Sequence, residues 1–412
     1  MNLEIRIADL TSELDTLASF SEAPAPAVTR VVFSPTDLQA REYVKGLCAA
    51  AGLAIREDAV GNTFARWSGS EPELAAIATG SHIDAIPNAG RYDGTVGVLG
   101  GLEAIRALQR SGLQPRRSIE LVIFTSEEPT RFGIGCIGSR LLAGVLDAAA
   151  DTRLAGKDGQ TLNHWRTAAG FAGDLAGVRL PQGHYAAFVE LHIEQGPLLE
   201  RAGIPLGVVT AIAAPASLRI RITGEGGHAG AVLMPARRDA FCAAAELVLA
   251  VETAAKATGA IDTVATVGVC EVFPGAINSI PGEVRLEVDV RDTNEARRDG
   301  VLEKIRGACT DVATRRGVAV TLETINADTP AQCDAAVVES IARACSTHGL
   351  GFQTMVSRAY HDSLFISRIA PTAMLFIPCR GGVSHRPDEY AAAEAIASGV
   401  LVLAEALAEL AE

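Results

Sequence analysis

The feature that most restricts the fold is a change of hydrophobic period near Ser217. Before it, short apolar runs (Ala75 to Thr79, Ile119 to Phe124) alternate with a helix-periodic stretch carrying Val98, Leu102, Ile105 and Leu108, the texture of an α/β layer fold. After it, Leu218 to Thr223 and Val284 to Val290 alternate apolar and polar residues with period two, as half-exposed strands do. Between and after these strands lie a helix-like stretch (Arg237 to Ala257), an apolar run (Ala265 to Val272), a second helical stretch (Asn294 to Arg315) and a last strand (Val318 to Ile325). The order β-α-β-β-α-β predicts a ferredoxin-like, split-βαβ sandwich of about one hundred residues, inserted before the α/β text resumes near Ala335. The expected organisation is a discontinuous larger domain, 1–212 plus 328–412, around an insert at 213–327. A chain of 412 residues, longer than one hydrophobic core usually serves, accommodates both.

Charge and composition exclude several classes of function. A net charge of −13 repels phosphate backbones, and no Lys/Arg-rich stretch interleaved with aromatics opposes it, so no nucleic-acid partner is expected. No run approaches the ~20 apolar residues a membrane span requires, so no membrane partner is expected either. Met1 to Leu10 mixes Glu4, Arg6 and Asp9 into its apolar positions, unlike the core of a secretory signal, which leads us to expect a cytoplasmic protein. Eight cysteines between Cys48 and Cys379 form no C-x-x-C pair, which argues for reduced thiols rather than a thiolate zinc site or a redox couple.

Five separated positions carry metal-type ligands beside glycine- or proline-rich turns or at the ends of apolar runs: His82, Asp93, Glu128, His192 and His385. Imidazole and carboxylate together suit Zn, Mn, Co or Ni. Three histidines and two carboxylates can serve two ions if one carboxylate bridges them, and such a pair activates water and polarises a carbonyl. Singly, each has an ordinary structural explanation: a hydrogen-bonded histidine at a strand end, or an acid capping a helix at Asp93. Context adds weight. In Gly80-Ser81-His82-Ile83-Asp84 the carboxylate two residues on shares a side with the imidazole of an extended strand, where Asp84 can hold it from behind. Glu127 and Glu128 close an apolar strand as adjacent acids, costly unless a cation or shared proton relieves them, so one can bind metal while its neighbour acts as a general base. Alternation sends His192 and Glu194 to one face of another such run, and His228 stands in a glycine-rich turn of the insert.

At these residues the chain resembles the M20-type metallopeptidase family, in its amidase/hydantoinase-carbamoylase branch. The matching text is GSHIDAIPNAGRYDG, FTSEEPTRFGIGCIGS, ELHIEQGP, GGHAG, PGAINSIPGEV with DVRD, and YHDS with GGVSHRPDE. The resemblance implies an α/β, mixed-sheet catalytic domain holding two divalent ions per subunit, Mn2+ or Zn2+ with Co2+ or Ni2+ as alternatives. It implies ligands His82, Asp93 (bridging), Glu128, His192 and His385, with Glu127 as general base, and a homodimer formed through the insert. It also implies that His228 polarises the scissile carbonyl, often of the neighbouring subunit. Gln195, Asn278, Arg291, Tyr360 and His361 would contact a small ureido acid, Arg291 clamping its carboxylate in the bidentate geometry that arginine offers.

Where the branch usually reads HAGTTPM and GAGHDA, this chain reads His228-Ala229-Gly230-Ala231-Val232-Leu233-Met234 and Arg358-Ala359-Tyr360-His361-Asp362-Ser363. Both departures are similar to ureidoglycolate amidohydrolases, with Tyr360 in place of a glycine at the pocket wall. N-carbamoyl-L-amino-acid hydrolysis and allantoate hydrolysis are alternatives with the same metals. A non-catalytic dimer binding a ureido or amino acid is disfavoured because a binding module has no need of a general base. No G-x-S-x-G elbow or readable Cys/His pair supports a serine or cysteine amidase.

Overall fold

The computed structural model describes residues 3–148, 154–156 and 158–412. The chain divides into two compact units, Met1–Thr210 with Gln332–Ser357 and His361–Glu412, and Ala211–Ala331 with Arg358–Tyr360.

The first unit is built on a mixed sheet. Its centre is four parallel strands in the order Thr372–Ile377, Tyr185–Ile193, Ala76–His82 and Ile119–Phe124, flanked by antiparallel Leu206–Ile212 on one side and by Thr63–Trp67 and Ala54–Glu57 on the other. The central strands are buried on both faces, which is why they read as continuous apolar runs rather than as alternation. On one face Ile77, Leu121, Val189 and Leu191 pack with Leu99, Leu102, Val400 and Leu403 of the helices Thr95–Arg110 and Ala393–Leu410. On the other, Ala78, Val122, Phe124 and Phe188 join Phe132, Ile137 and Leu141. The helix Thr95–Arg110 lies very close to the sheet, since a Cβ at Gly97 would come within 2.4 Å of the Leu191 carbonyl oxygen. Because the four central strands are parallel, their C-terminal ends share one edge, the position at which open α/β sheets present their sites.

The second unit is a four-stranded antiparallel sheet in the order Val264–Phe273, Glu283–Asp292, Ala214–Thr223 and Ala319–Ala327. With the helices Ala240–Lys256 and Glu295–Arg316 the chain order is β-α-β-β-α-β. Val284, Leu286, Val288 and Val290 point into the core with Leu247, Val251, Val301 and Ile305, while Arg219 pairs with Glu287 (2.9 Å) and Arg285 with Glu271 (2.6 Å) among the alternate residues. The period-two pattern is the imprint of this one-sided burial. Both helices begin at capping side chains, Asp239 and Asn294. Among the described residues no helix is long and apolar enough to cross a membrane.

Candidate active site

The five ligand candidates converge at the C-terminal edge of the parallel strands. His82 ends its strand, His192 lies one residue before the end of its own, and Glu128 follows the strand Ile119–Phe124 by four residues. Asp93 sits in the turn into the helix Thr95–Arg110, and His385 in the loop before Ala393–Leu410, in a left-handed conformation (φ 58°). Asp93 is the centre of the group. Its Oδ1 lies 3.5 Å from His82 Nε2 and 3.3 Å from His192 Nε2; its Oδ2 lies 3.2 Å from His385 Nε2, which is 3.3 Å from Glu128 Oε1. Donors on a tetrahedral ion with bonds of about 2.0–2.1 Å stand about 3.4 Å apart. His82-Asp93-His192 and Asp93-Glu128-His385 are accordingly two donor groups able to hold a metal ion, with Asp93 in both.

The imidazoles are oriented for this. His82 Nδ1 is 3.0 Å from the Asp84 carbonyl and His192 Nδ1 is 2.9 Å from the Ile193 carbonyl; carbonyls only accept, so each Nδ1 carries a proton and each Nε2 is turned toward Asp93, that of His192 also accepting from Gly94 N–H at 3.1 Å. Asp84 thus holds His82 chiefly through its backbone, its carboxylate being 3.6 Å from the ring. Both contacts come from behind the ring although the strand itself ends at His82. The carboxylate also accepts from the backbone N–H groups of Glu127 (3.2 Å) and Glu128 (3.1 Å), tying the two strand ends together. Beyond the strand end Glu194 turns to accept from Leu198 and Leu199 N–H, both at 2.8 Å, as a helix cap.

Glu127 lies beside the first donor group, its Oε2 3.6 Å from His82 Nε2. Burial pushes its carboxyl well above the usual carboxylate range, His82 opposing this and the negative charges of Glu128, Asp362 and Asp93 adding to it. Glu128 is raised by burial too, against its hydrogen bond to His385. Hydrogen bonds to Asp93 and Glu128 push His385 up to about 11, and the charge of Glu127 with the contacts to Asp84 and Asp93 lifts His82 despite its burial. The pocket therefore concentrates buried negative charge and takes up protons to relieve it. A divalent cation relieves it more completely, so the residues fit bound metal.

Several contacts were not foreseen in the sequence. Glu389 Oε1 accepts from the N–H groups of Tyr92 (2.8 Å) and Asp93 (3.1 Å), and Ser384 Oγ stands 2.7 Å from Asp93 Oδ2 and 2.8 Å from Glu389 Oε2. Glu190, wholly buried, accepts from Ser81 Oγ (2.7 Å) and Ser363 Oγ (2.5 Å) and forms a third donor group with His192 and His361. Cys136 Sγ is 3.6 Å from Glu127 Oε1.

The remaining site candidates fall in two places. In the first unit, Gln195 donates from Nε2 to Asp93 Oδ2 at 2.7 Å, leaving its buried Oε1 without a hydrogen-bond partner among the described residues. His361 is buried with its ring 4.5 Å from that of His192 and its Nε2 3.1 Å from Ser357 Oγ. In the second unit, His228 is exposed on a two-residue strand opposite Ser279, and the adjoining Asn278 carbonyl accepts from Ala229 N–H. Arg291 is held by Asp289 (2.7 Å) with its guanidinium 5.5 Å from the centre of the Tyr360 ring.

Comparison with known proteins places this geometry. The model of peptidase family M20/M25/M40 matches residues 78–409, a span containing every donor described above. Ureidoglycolate hydrolase of Arabidopsis thaliana is 54% identical over 416 residues, covering 99% of this chain and 87% of that protein. Crystal structures of AtUAH with (S)-hydroxyglycine and with glyoxylate superpose with TM-scores of 0.94 and 0.93 at 53% and 52% identity, each covering 99% of this chain and 98% of that one. An amidase of the hydantoinase/carbamoylase family from Burkholderia multivorans superposes with a TM-score of 0.88 at 34% identity, over 99% and 98% of the two chains. The match runs through both units and through all the strand-end motifs, and the chain belongs to peptidase family M20/M25/M40.

Proposed function

We propose that this chain is a metal-dependent amidohydrolase that cleaves the terminal C–N bond of ureidoglycolate. The observation that carries the reading is Asp93, set between two nitrogen-and-oxygen donor groups with Glu127 alongside. In this reading His82 and His192 would hold one divalent ion and Glu128 and His385 a second, with Asp93 belonging to both donor groups. The chemistry such ions would supply is a water molecule of lowered proton affinity and a polarised carbonyl. Imidazole and carboxylate donors suit Mn, Zn, Co or Ni, and the family resemblance favours Mn2+ or Zn2+, with Co2+ or Ni2+ as alternatives.

Glu127 takes the proton of the attacking water as the new C–O bond forms at the ureido carbonyl carbon. It passes that proton to the terminal nitrogen, which leaves as ammonia when the C–N bond breaks. His228, from the neighbouring subunit of a homodimer formed through the second unit, donates to the carbonyl oxygen as charge develops there. Arg291 binds the substrate carboxylate, and Gln195, Asn278, Tyr360 and His361 complete the substrate contacts. The carbamate product loses carbon dioxide to give hydroxyglycine, which releases a second ammonia and becomes glyoxylate. The relatives support this substrate: one is a ureidoglycolate hydrolase, and (S)-hydroxyglycine and glyoxylate are the molecules bound in the AtUAH crystals. Eight free cysteines accord with a reducing, cytoplasmic setting.

The test is ammonia release from (S)-ureidoglycolate, allantoate and an N-carbamoyl-L-amino acid, using chelated enzyme reloaded in turn with Mn, Zn, Co and Ni. Strong preference for ureidoglycolate is expected. Turnover of another ureido acid alone would keep the metal chemistry and overturn the substrate.

A further inference from the structure

We propose that Cys136 is a positioning residue for Glu127: its thiol donates a hydrogen bond to Glu127 Oε1 (3.6 Å) and so leaves Oε2, on the His82 side, as the oxygen that meets the water. The inference rests on the reading of Glu127 as the base.

The backbone around Glu127 is already fixed. Asp84 holds the amides of Glu127 and Glu128, and the N–H groups of Cys136, Ile137 and Gly138 return to the carbonyls of Glu127 (2.8 Å), Ser126 (3.0 Å) and Thr125 (2.8 Å). This register sets the Cys136 side chain beside that of Glu127. What the backbone does not fix is the terminal torsion of the glutamate, which is broad and two-fold. The thiol contact restrains it, because it distinguishes the two carboxylate oxygens.

Two further observations support a donor here. Cys136 is fully buried, and burial, reinforced by the charges of Glu127 and Asp362, pushes its pKa far above the ordinary thiol range, so the sulfur keeps its proton. Its backbone is left-handed, with φ 58°, a conformation that glycine adopts freely and cysteine does not. A side chain stands here where glycine would relax the backbone, the kind of local strain that clusters at working sites.

The experiment compares Cys136→Gly, Cys136→Ser and Glu127→Gln for kcat, KM on ureidoglycolate, bound metal and thermal midpoint. Cys136→Gly is expected to keep KM, metal and midpoint while kcat falls about tenfold, the scale of one hydrogen bond to a charged group. Cys136→Ser, which restores a donor, is expected to recover at least half of that loss on a logarithmic scale. Should glycine lower the midpoint, Cys136→Ala against Cys136→Ser decides, since the two differ in the donor and share a backbone preference. Wild-type kcat in the variants without a donor, or equal losses in the alanine and serine variants, overturns the proposal. If Glu127→Gln is inactive while Cys136→Gly is unimpaired, only the role of Cys136 falls; if Glu127→Gln turns over normally, the reading of the base falls with it.

Discussion

Glu389 shares one hydroxyl with Asp93: Ser384 Oγ lies 2.8 Å from a carboxylate oxygen of the first and 2.7 Å from one of the second. A serine has a single proton to give, so both contacts are satisfied only when one carboxyl carries a proton of its own. Glu389 is that carboxyl. Burial, with the charge of Asp93 adding, raises it from 4.5 to about 7, against the hydrogen bonds from Tyr92, Ser384 and Asp93. A folded pKa above the unfolded one means that folding takes up a proton. The associated stability is complete below about pH 4.5 and is lost as pH rises through about 7. In chelated protein Glu389→Gln is expected to flatten this decline and to exceed the wild type at pH 8 by up to about 3 kcal/mol. Urea unfolding at pH 5, 7 and 8 reads it, and parallel pH profiles would contradict it.

Gly94 is the hinge on which Asp93 approaches His82. It has a left-handed φ of 66°, and a Cβ there would stand 2.5 Å from His82 Nε2. Gly94→Ala is expected to push the imidazole away from Asp93 and strain the turn together, lowering metal affinity at least tenfold and stability by about 1–2 kcal/mol. Metal titration of the chelated variant measures the first effect and denaturant unfolding the second; unaltered metal affinity would mean that His82 is not held by this contact.

Glu127→Gln keeps the shape of the side chain and its place beside His82 while removing the proposed base. Turnover is expected to fall by about three orders of magnitude, within the range ascribed to general acid–base groups, with the full complement of metal retained. Elemental analysis alongside single-turnover kinetics separates this from loss of the site, and activity within tenfold of wild type would remove Glu127 from the mechanism.

The fold was legible where burial was one-sided or complete. Val284 to Val290 alternates because one face of its strand packs on helices and the other carries ion pairs, and Ile119 to Phe124 is uniformly apolar because both faces are covered. The donors were legible because each stands at a strand end or turn in polar text that packing alone does not explain. What was not legible depends on three-dimensional return. Glu389 follows Asp93 by 296 residues and contacts its amide, a relation no local pattern encodes. The second contact of the Asp84 carboxylate, with the amides of Glu127 and Glu128 at the next strand end, was not legible because it joins two strands far apart in sequence. Cys136 looked like one more buried thiol because its partner is fixed by a loop that folds back on residues 125–127.

In the proposed function Tyr360 links the second unit's arginine to substrate choice. Arg291 is steered from one side by Asp289 at 2.7 Å and faces the Tyr360 ring at 5.5 Å, so its guanidinium has little freedom. A contact of this kind contributes about 0.5–1 kcal/mol when exposed and about 2 when desolvated. Tyr360→Gly is therefore expected to lower kcat/KM for ureidoglycolate by about three- to thirtyfold, chiefly through KM, as the carboxylate clamp loosens. The space released favours N-carbamoyl amino acids with larger side chains, so the ratio of kcat/KM values between the two substrates moves further than either value alone. Tyr360→Phe preserves the ring and is expected to stay within threefold of wild type on ureidoglycolate. If phenylalanine is as damaging as glycine, the hydroxyl rather than the ring face selects the substrate.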